Sequence, residues 1–193
     1  MAIVSQTILH LKYGDFITSY HKSRYGECIS FVLGKVRSRI PVVRIHSACL
    51  FGEAFFSKHC DCGQQLMQTL QEIKKRGCGV IIYGYDEGRG IGLENKIASM
   101  GFEQKYKINT IEAFRKLGYG KSDYRNYAKE VQALDDLAVN KQIHLVSCNP
   151  EKEKALELAG YKIRKFLKLK IKLNKYNKGE MTVKRDKMNY YID

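Results

Sequence analysis

Two absences narrow the class of protein. No apolar run approaches the roughly 20 residues that a membrane-spanning helix needs, and the first eleven residues lack the charged-then-apolar layout of a signal peptide. Only two of the 193 residues are proline, while 44% are hydrophobic and 28% charged, a balance typical of globular rather than disordered or collagen-like chains. We therefore expect a folded cytoplasmic protein with no membrane partner.

Cysteine is too scarce for a disulfide scaffold. The chain has six cysteines and no export signal, so we expect their thiols to be reduced. Cys28, Cys78 and Cys148 lie in strand-like or loop-like surroundings, where a buried and inert thiol is the usual outcome.

Acidic residues are outnumbered by basic ones. Lys and Arg total 34 against 20 Asp and Glu, giving a formal charge of +14, and more than half of that excess lies after residue 160. Such an excess favours an anionic partner but says nothing about fold. Nucleic acid, nucleotide phosphates and no specific partner all stay open on charge alone.

The hydrophobic pattern predicts a β-rich start followed by alternating strands and helices. Short apolar runs before residue 60, with a turn at Tyr13-Gly14-Asp15, predict an antiparallel or mixed sheet. Helical spacing then predicts helices over residues 64–76, 93–100, 110–117, 124–137 and 149–160, with strands over 80–85 and 142–147.

The C-terminal part predicts one more strand and then a tail. Leucine and isoleucine alternate with lysine over residues 167–173, which is the pattern of a strand with one solvated face. After Asn174 the residues are polar and basic with no clear period. We therefore predict a single α+β or mixed α/β domain over residues 1–173 and a mobile basic tail over 174–193.

Three cysteines form the strongest local motif. Cys49, Cys60 and Cys62 follow the spacing C-x10-C-x-C, and three thiolates suit zinc. With three protein ligands one position of the zinc stays open to water, as in catalytic sites. The alternatives are a structural site completed by His46 or His59, and three core cysteines with no metal.

Two further motifs are weaker alone. The glycine-rich segment from Glu87 to Gly92 could close around phosphate oxygens at a helix start, with Arg89 holding a phosphate through two donors, or it could be a tight turn. Asp123 and Arg125 place an acid and a base two residues apart, a pair that more often caps a helix or lies on the surface.

Taken together and in order, these segments resemble GTP cyclohydrolase II. The resemblance covers roughly residues 12–188 and is carried by the sequence segments 44–49, 60–66, 87–93, 95–97, 117–119 and 149–150. In the tail, Asn177 and residues 184–188 also resemble the family's C-terminal pattern. Enzymes of that family commit GTP to riboflavin synthesis by opening the guanine imidazole ring, with release of formate and pyrophosphate. The resemblance implies a hydrolase, and a homodimer as its typical assembly.

The resemblance also implies roles for individual residues. Cys49, Cys60 and Cys62 match the zinc ligands, so an open zinc site that activates water for attack at C8 becomes the favoured interpretation. Asp123 matches a proposed proton acceptor, and Arg125 a proposed nucleophile at the α-phosphorus, although a permanently protonated arginine suits charge stabilisation equally well. Magnesium is expected on the triphosphate. The matched nucleotide-binding positions are Arg44, Ile45, His46, Ser47, Ala48, Gln65, Glu87, Gly88, Arg89, Thr110, Ser147 and Lys152.

Four positions depart from the family pattern. Ala48 replaces an acidic residue, Asp86 a glutamine and Tyr124 a glutamate, while Met100 stands where the family usually has a tyrosine. A thioether cannot position water or donate a proton as a hydroxyl can. We therefore predict that ring opening survives while loss of formate is slowed or absent, leaving a formylamino pyrimidine.

Three alternatives compete with this interpretation. A cyclohydrolase acting on another nucleotide fits the changes at Ala48 and Asp86, and the pathway could be riboflavin synthesis or a specialised relative of it. A basic zinc-containing module that binds nucleic acid fits the charge, but is the less favoured partner class. A catalytically dead nucleotide-binding homologue is disfavoured because all three cysteines, Arg89, Asp123 and Arg125 are present.

Overall fold

The computed structural model describes residues 2–192, and these residues group into two compact units. Unit 1 contains residues 2–46, 64–85 and 127–170, and unit 2 contains residues 47–63, 86–126 and 171–192. Within residues 2–192, no helix combines the length and apolar character needed to cross a membrane.

Strands and helices alternate through much of the chain, which confirms the predicted mixed α/β class. The strands are β1 (Ala2–Leu11), β2 (Gly14–Ser23), β3 (Gly26–Leu33), β4 (Val42–Ser47), β5 (Gly79–Gly84), β6 (Gln142–Leu145) and β7 (Lys162–Phe166). The helices are α1 (Leu50–Glu53), α2 (Cys62–Arg76), α3 (Gly92–Tyr106), α4 (Thr110–Lys116), α5 (Ala128–Asp136), α6 (Pro150–Leu158) and α7 (Lys178–Met188).

Unit 1 is built on a seven-stranded mixed sheet in the order β1-β2-β3-β5-β4-β6-β7. The first four strands in this order pair antiparallel, whereas β4, β6 and β7 pair parallel. The predicted turn at Tyr13-Gly14 joins β1 to β2, where Leu11 pairs with Gly14. Gly14 has φ of 131°, a left-handed value that a side chain would disfavour, so glycine fits this turn.

The sheet of unit 1 carries apolar side chains on both faces. Val80 and Ile82 of β5 belong to one buried cluster and Ile81 to another, as expected when successive strand residues point to opposite faces. The first cluster includes Leu134 of α5, and the second includes Ile73 of α2. Helices therefore cover both faces of this sheet.

The predicted strand over residues 167–173 is wrong. β7 ends at Phe166, and the chain beyond it has no regular structure until α7. Leu167 and Leu169 still pack on the α2-side cluster, which explains the alternation. The backbone of Lys170 pairs instead with the side-chain amide of Gln68, through bonds of 2.7 and 2.9 Å.

Unit 2 contains α3, α4 and α7. α4 matches its prediction closely because Asn109 and Glu112 form a capping box at its start. Sequence analysis predicted no regular structure after Asn174, whereas α7 forms there and buries Met181 and Lys184. The domain boundary at residue 173 stays a prediction.

Candidate active site

The three motif cysteines meet in unit 2. Cys49 precedes α1 and Cys62 opens α2, and their Sγ atoms lie with that of Cys60 within 4.8 Å of one another. The Sγ atoms of Cys49 and Cys60 are 3.6 Å apart, and all three cysteines are free thiols. Soft sulfur donors at this spacing could hold a metal ion.

Gly52 makes room for this cluster. A Cβ atom added at Gly52 would lie 2.6 Å from Sγ of Cys60, closer than nonbonded atoms approach, and 3.2 Å from Sγ of Cys49, a tight contact. The absence of a side chain there lets α1 pack directly against the thiols.

A half-buried ion pair borders the cysteines. Lys96 of α3 has its Nζ 3.2 Å from Sγ of Cys49 and 2.6 Å from Oε1 of Glu87. The other carboxylate oxygen of Glu87 accepts the N–H of Leu50 at 2.7 Å, at the start of α1. Glu87 therefore fixes both the lysine and the helix that follows Cys49.

The cysteine cluster holds one negative charge readily. Hydrogen bonds from the thiols of Cys60 and Cys62, with the positive charge of Lys96, lower the pKa of Cys49 to about 3. The hydrogen bond that Cys60 gives to Cys49 raises the pKa of Cys60, and burial raises it further. The thiolate is the form of cysteine that binds metals.

Neither histidine considered as a fourth ligand joins this cluster. Across residues 2–192, the group of side chains arranged to hold a metal consists of the three cysteines alone. In unit 1 the ring of His46 stacks on Tyr83 with centroids 5.4 Å apart, and in unit 2 His59 packs against Tyr176 at 5.5 Å. The three cysteines therefore offer three of the four ligands of a tetrahedral metal site.

Asp61, between two of the cysteines, is bound by a lysine of α7. Lys184 Nζ lies 3.1 Å from Oδ1 of the fully buried Asp61 and 3.0 Å from Oε1 of Glu180. Burial alone would lower the pKa of Lys184, but the two carboxylates outweigh it and raise the pKa. The same Glu180 oxygen accepts from Arg89 at 3.3 Å, so α7 joins the cysteine loop to the glycine-rich loop.

The glycine-rich loop presents Arg89 at a left-handed bend. Gly88 and Arg89 have φ of 63° and 57°, and Arg89 donates to Oγ1 of Thr110 at 3.2 Å. A Cβ at Gly90 would lie 3.1 Å from the carbonyl carbon of Tyr124, a tight contact, and the φ of 88° at this residue also favours glycine. The backbone carbonyl of Arg89 accepts from the N–H of Tyr124 at 2.9 Å.

Asp123 and Arg125 form a fixed ion pair in unit 2. Arg125 donates from Nε to Oδ1 of Asp123 at 2.9 Å, and its Nη2 contacts the other carboxylate oxygen. Its remaining donors reach Oγ of Ser47 at 3.3 Å and the hydroxyl of Tyr190 at 2.9 Å. Burial would raise the pKa of Asp123, but Arg125 outweighs burial and lowers it.

A cavity of about 460 Å³ borders Asp123. Its lining combines residues 119–123 with residues at the start of α4 and in its interior, and with Lys187 of α7. The basic members of this lining are Arg115, Lys121 and Lys187.

In unit 1, the predicted nucleotide residues form a second group. Arg44 of β4 is buried and donates to Nδ1 of His46 at 2.9 Å, to the carbonyl oxygen of Val146 at 3.3 Å and to Oε1 of Gln65 at 2.5 Å. Lys152 is also buried and donates to the carbonyl oxygen of Ile45 at 3.0 Å. Both cations are therefore committed to contacts that order their own unit.

The same group lies where parallel strands end. β4 and β6 are parallel neighbours, and Ser147 follows the carboxyl end of β6, an edge where open α/β sheets bind ligands. The nucleotide contacts predicted for Arg44, Ile45, His46, Gln65, Ser147 and Lys152 stay predictions.

For two predicted site residues, Met100 and Ala48, the structure gives burial and position in the chain. Met100 lies half-buried in the middle of α3 rather than at a helix end, and Ala48 is half-buried between β4 and α1. Lys96 and Lys184 lie in segments that resemble the family pattern, but the sequence predicts no individual role for them, nor for Glu180 or Tyr190. Glu180 and Lys184 lie in a basic C-terminal segment with the composition of a solvated surface, so nothing in the local sequence predicts that Lys184 is buried.

Comparison with known proteins settles the family. The model of the GTP cyclohydrolase II family matches residues 2–168, which is most of the chain. The chain belongs to the GTP cyclohydrolase II family. The resemblance drawn from the sequence motifs is thereby confirmed, and with it the prediction of a hydrolase of the GTP cyclohydrolase II type.

Similar curated proteins are bacterial. The chain is 40% identical to a GTP cyclohydrolase-2 of Actinobacillus succinogenes over 167 residues, covering 86% of this chain and 76% of that one. It is 38% identical to a GTP cyclohydrolase-2 of Haemophilus influenzae over 194 residues, covering 98% and 88%. A riboflavin biosynthesis protein RibBA of Chlorobium phaeovibrioides is 40% identical over 183 residues, 93% of this chain, and the chain spans only 44% of that protein.

Among solved structures, the chain is similar to RibBX, a two-domain 3,4-dihydroxy-2-butanone 4-phosphate synthase from A. baumannii. The match covers 89% of this chain and 40% of that one, with 17% identity and a TM-score of 0.46. A likeness at this level carries no argument about function or fold.

Proposed function

We propose that this chain is a zinc-dependent GTP cyclohydrolase that opens the imidazole ring of the guanine base at C8 and releases pyrophosphate. The observation that carries the proposal is the cluster of three cysteine Sγ atoms within 4.8 Å, in a chain of this family. GTP as the substrate comes from relatives named GTP cyclohydrolase-2. The RibBA relative suggests riboflavin biosynthesis, or a pathway related to it.

The thiol geometry fits a zinc ion. Two thiolates bound tetrahedrally at about 2.3 Å lie about 3.8 Å apart, and the Sγ atoms of Cys49 and Cys60 are 3.6 Å apart. Cys49, Cys60 and Cys62 would hold one ion per chain and leave its fourth position open. When bound, zinc supplies a Lewis acid that makes water nucleophilic at neutral pH.

Lys96 and Glu87 favour the thiolate form of Cys49, which is the form that binds metals. The ammonium group of Lys96 favours the thiolate of Cys49 at 3.2 Å, and Glu87 holds that ammonium group in position. The cluster is thus charged for metal binding before the metal arrives.

Basic side chains favour the triphosphate. Arg89 is oriented by Thr110 and Glu180, and a planar guanidinium fixed in this way suits phosphate oxygens. Arg115, Lys121 and Lys187 add positive charge around the 460 Å³ cavity. We propose that the triphosphate binds with Mg²⁺, which neutralises the phosphate charge that these residues leave uncompensated.

Asp123 and Arg125 act as a unit. The ion pair keeps the Arg125 guanidinium charged, which favours stabilisation of negative charge on the α-phosphoryl group over nucleophilic attack. Asp123 is ionised because Arg125 lowers its pKa, and a carboxylate of low pKa is a weak base. We infer that Asp123 chiefly fixes Arg125.

Formate release is the step that Met100 affects. A thioether in the middle of α3 supplies no hydroxyl, so the ring-opened product retains its formyl group, wholly or in part. The product is then a formylamino pyrimidine.

Turnover of GTP tests the proposal. The zinc-loaded protein with GTP and Mg²⁺ should lose purine absorbance and release pyrophosphate, with less than one formate per pyrophosphate. Cys60→Ser should abolish ring opening, whereas Cys28→Ser, a matched control in the core of unit 1, should not. If purine absorbance stays unchanged with GTP but falls with another nucleotide such as ATP, that nucleotide is the substrate and the proposal of GTP is wrong.

Assembly is a separate expectation. The resemblance to the family leads us to propose a homodimer, which analytical ultracentrifugation of the full chain tests directly.

A further inference from the structure

The hydroxyl group of Tyr190 contacts the guanidinium of Arg125. Nη2 of Arg125 donates to this hydroxyl at 2.9 Å, while the other donors of the guanidinium reach Asp123 and Ser47. Burial raises the pKa of Tyr190, so its phenol stays uncharged beside the ion pair. The guanidinium therefore contacts three side chains of unit 2, those of Asp123, Ser47 and Tyr190.

The end of α7 determines where Tyr190 lies. Asn189 adopts a left-handed conformation, with φ of 55°, and the N–H of Tyr190 donates to the carbonyl oxygen of Lys184 at 3.0 Å. The N–H of Asn189 donates to the same carbonyl oxygen, so both residues close the C-terminal end of α7 on Lys184. Tyr190 is thus fixed relative to α7.

α7 is in turn anchored to two site loops. Lys184 binds the buried carboxylate of Asp61, and Glu180 binds both Lys184 and Arg89. Moving α7 away would leave a buried carboxylate without its ammonium partner, which is strongly unfavourable. The segment that carries Tyr190 is therefore a fixed part of the site.

We propose that Tyr190 is a positioning residue that fixes the Arg125 guanidinium through its hydroxyl, held in place by α7 and its anchors at Asp61 and Arg89. This inference rests on the proposed function for the step that Arg125 serves. It adds a segment, residues 178–190, to which sequence analysis gave no role.

Tyr190→Phe removes the hydroxyl and keeps the ring. We expect kcat for GTP ring opening to fall about 10-fold, the effect of one hydrogen bond to a charged group, with KM and zinc content unchanged. Tyr191→Phe, at the neighbouring tyrosine whose side chain is 55% exposed, is the matched control and should keep wild-type kcat.

A double-mutant cycle separates positioning from general packing. If Tyr190 acts through Arg125, adding Tyr190→Phe to Arg125→Lys should lower kcat by less than 2-fold beyond Arg125→Lys alone. Multiplied losses in the double variant would overturn the inference.

A readout without turnover keeps the two proposals apart. Phenylglyoxal modification of Arg125, followed by peptide mass spectrometry, should be about 10-fold faster in Tyr190→Phe, because the guanidinium loses one restraint. Arg185, exposed on α7, serves as the internal reference and should react equally in both proteins. Equal Arg125 labelling overturns the inference even if GTP is opened, whereas faster labelling with no ring opening in the wild type contradicts only the proposed function.

Discussion

Gly52→Ala tests the geometry of the cysteine cluster by adding one methyl group. The new Cβ would lie 2.6 Å from Sγ of Cys60, whereas nonbonded heavy atoms rest at about 3.5 Å or more. The sulfur atom or α1 must therefore move by about 1 Å. Zinc sites tolerate ligand displacements of only about 0.2 Å.

Two effects of this substitution have opposite signs. Glycine in a helix is less stable than alanine by about 0.5–1 kcal/mol, so helix propensity alone predicts a more stable protein. Overpacking a filled site costs about 1–3 kcal/mol, which corresponds to zinc affinity weakened by about 5- to 150-fold. We expect the packing effect to dominate at Gly52 because an added Cβ would meet the side chains of all three cysteines of the cluster.

Zinc affinity, measured by competition with a chromophoric chelator, checks this expectation. The matched control is Gly101→Ala in the interior of α3, where an added Cβ meets nothing within 4 Å. That variant should keep wild-type zinc affinity and gain about 0.5–1 kcal/mol in unfolding free energy. Wild-type zinc affinity in Gly52→Ala would refute the reasoning about the cluster.

Three other predictions concern the proposed steps and the core. Met100→Tyr should raise the formate-to-pyrophosphate ratio towards one by restoring a hydroxyl, as an enzymatic formate assay measures. Arg89→Lys should raise KM for GTP by about 10-fold, because lysine cannot hold Thr110 and Glu180 through a planar fork, and steady-state kinetics checks this. His21 is fully buried on Ser30, and burial lowers its pKa, so the folded state favours the neutral ring. Stability should be complete above pH about 6.5 and fall as the pH drops below it, by at most about 1.4 kcal/mol per pH unit. His21→Gln should flatten that slope in denaturant titrations.

The cysteine cluster could be predicted from the sequence because the spacing of its residues along the chain largely determines its geometry. The cysteine motif could be read directly because the ligands are close along the chain and differ chemically from their neighbours. α6 was also predictable, since Asn149 caps it and Pro150 opens it.

Alternation of apolar residues misled the prediction for residues 167–173. The pattern indicates which side chains are buried, but it does not indicate whether the backbone pairs with another strand. Here the backbone of Lys170 pairs with the side-chain amide of Gln68 instead of a strand. The helix predicted from residue 124 begins only at Ala128, because Tyr124 and Arg125 are held in a loop by Arg89 and Asp123.

The helical structure of α7 and its buried ion pair could not be predicted from the local sequence pattern. A lysine followed by arginine and aspartate in a basic segment predicts a solvated surface. Only the tertiary contacts of Lys184 with Asp61, 123 residues away in the chain, reveal a buried ion pair.

Cys49, Cys60 and Cys62 are proposed to hold the zinc ion on which GTP ring opening by this chain depends. Zinc-stripped protein, incubated with GTP and Mg²⁺ while zinc is added in steps, tests this proposal, with the ring-opened product counted by mass spectrometry. We predict that product formation rises in proportion to zinc and levels off at one ion per chain. Full ring opening without zinc, or none at saturating zinc, would contradict the account.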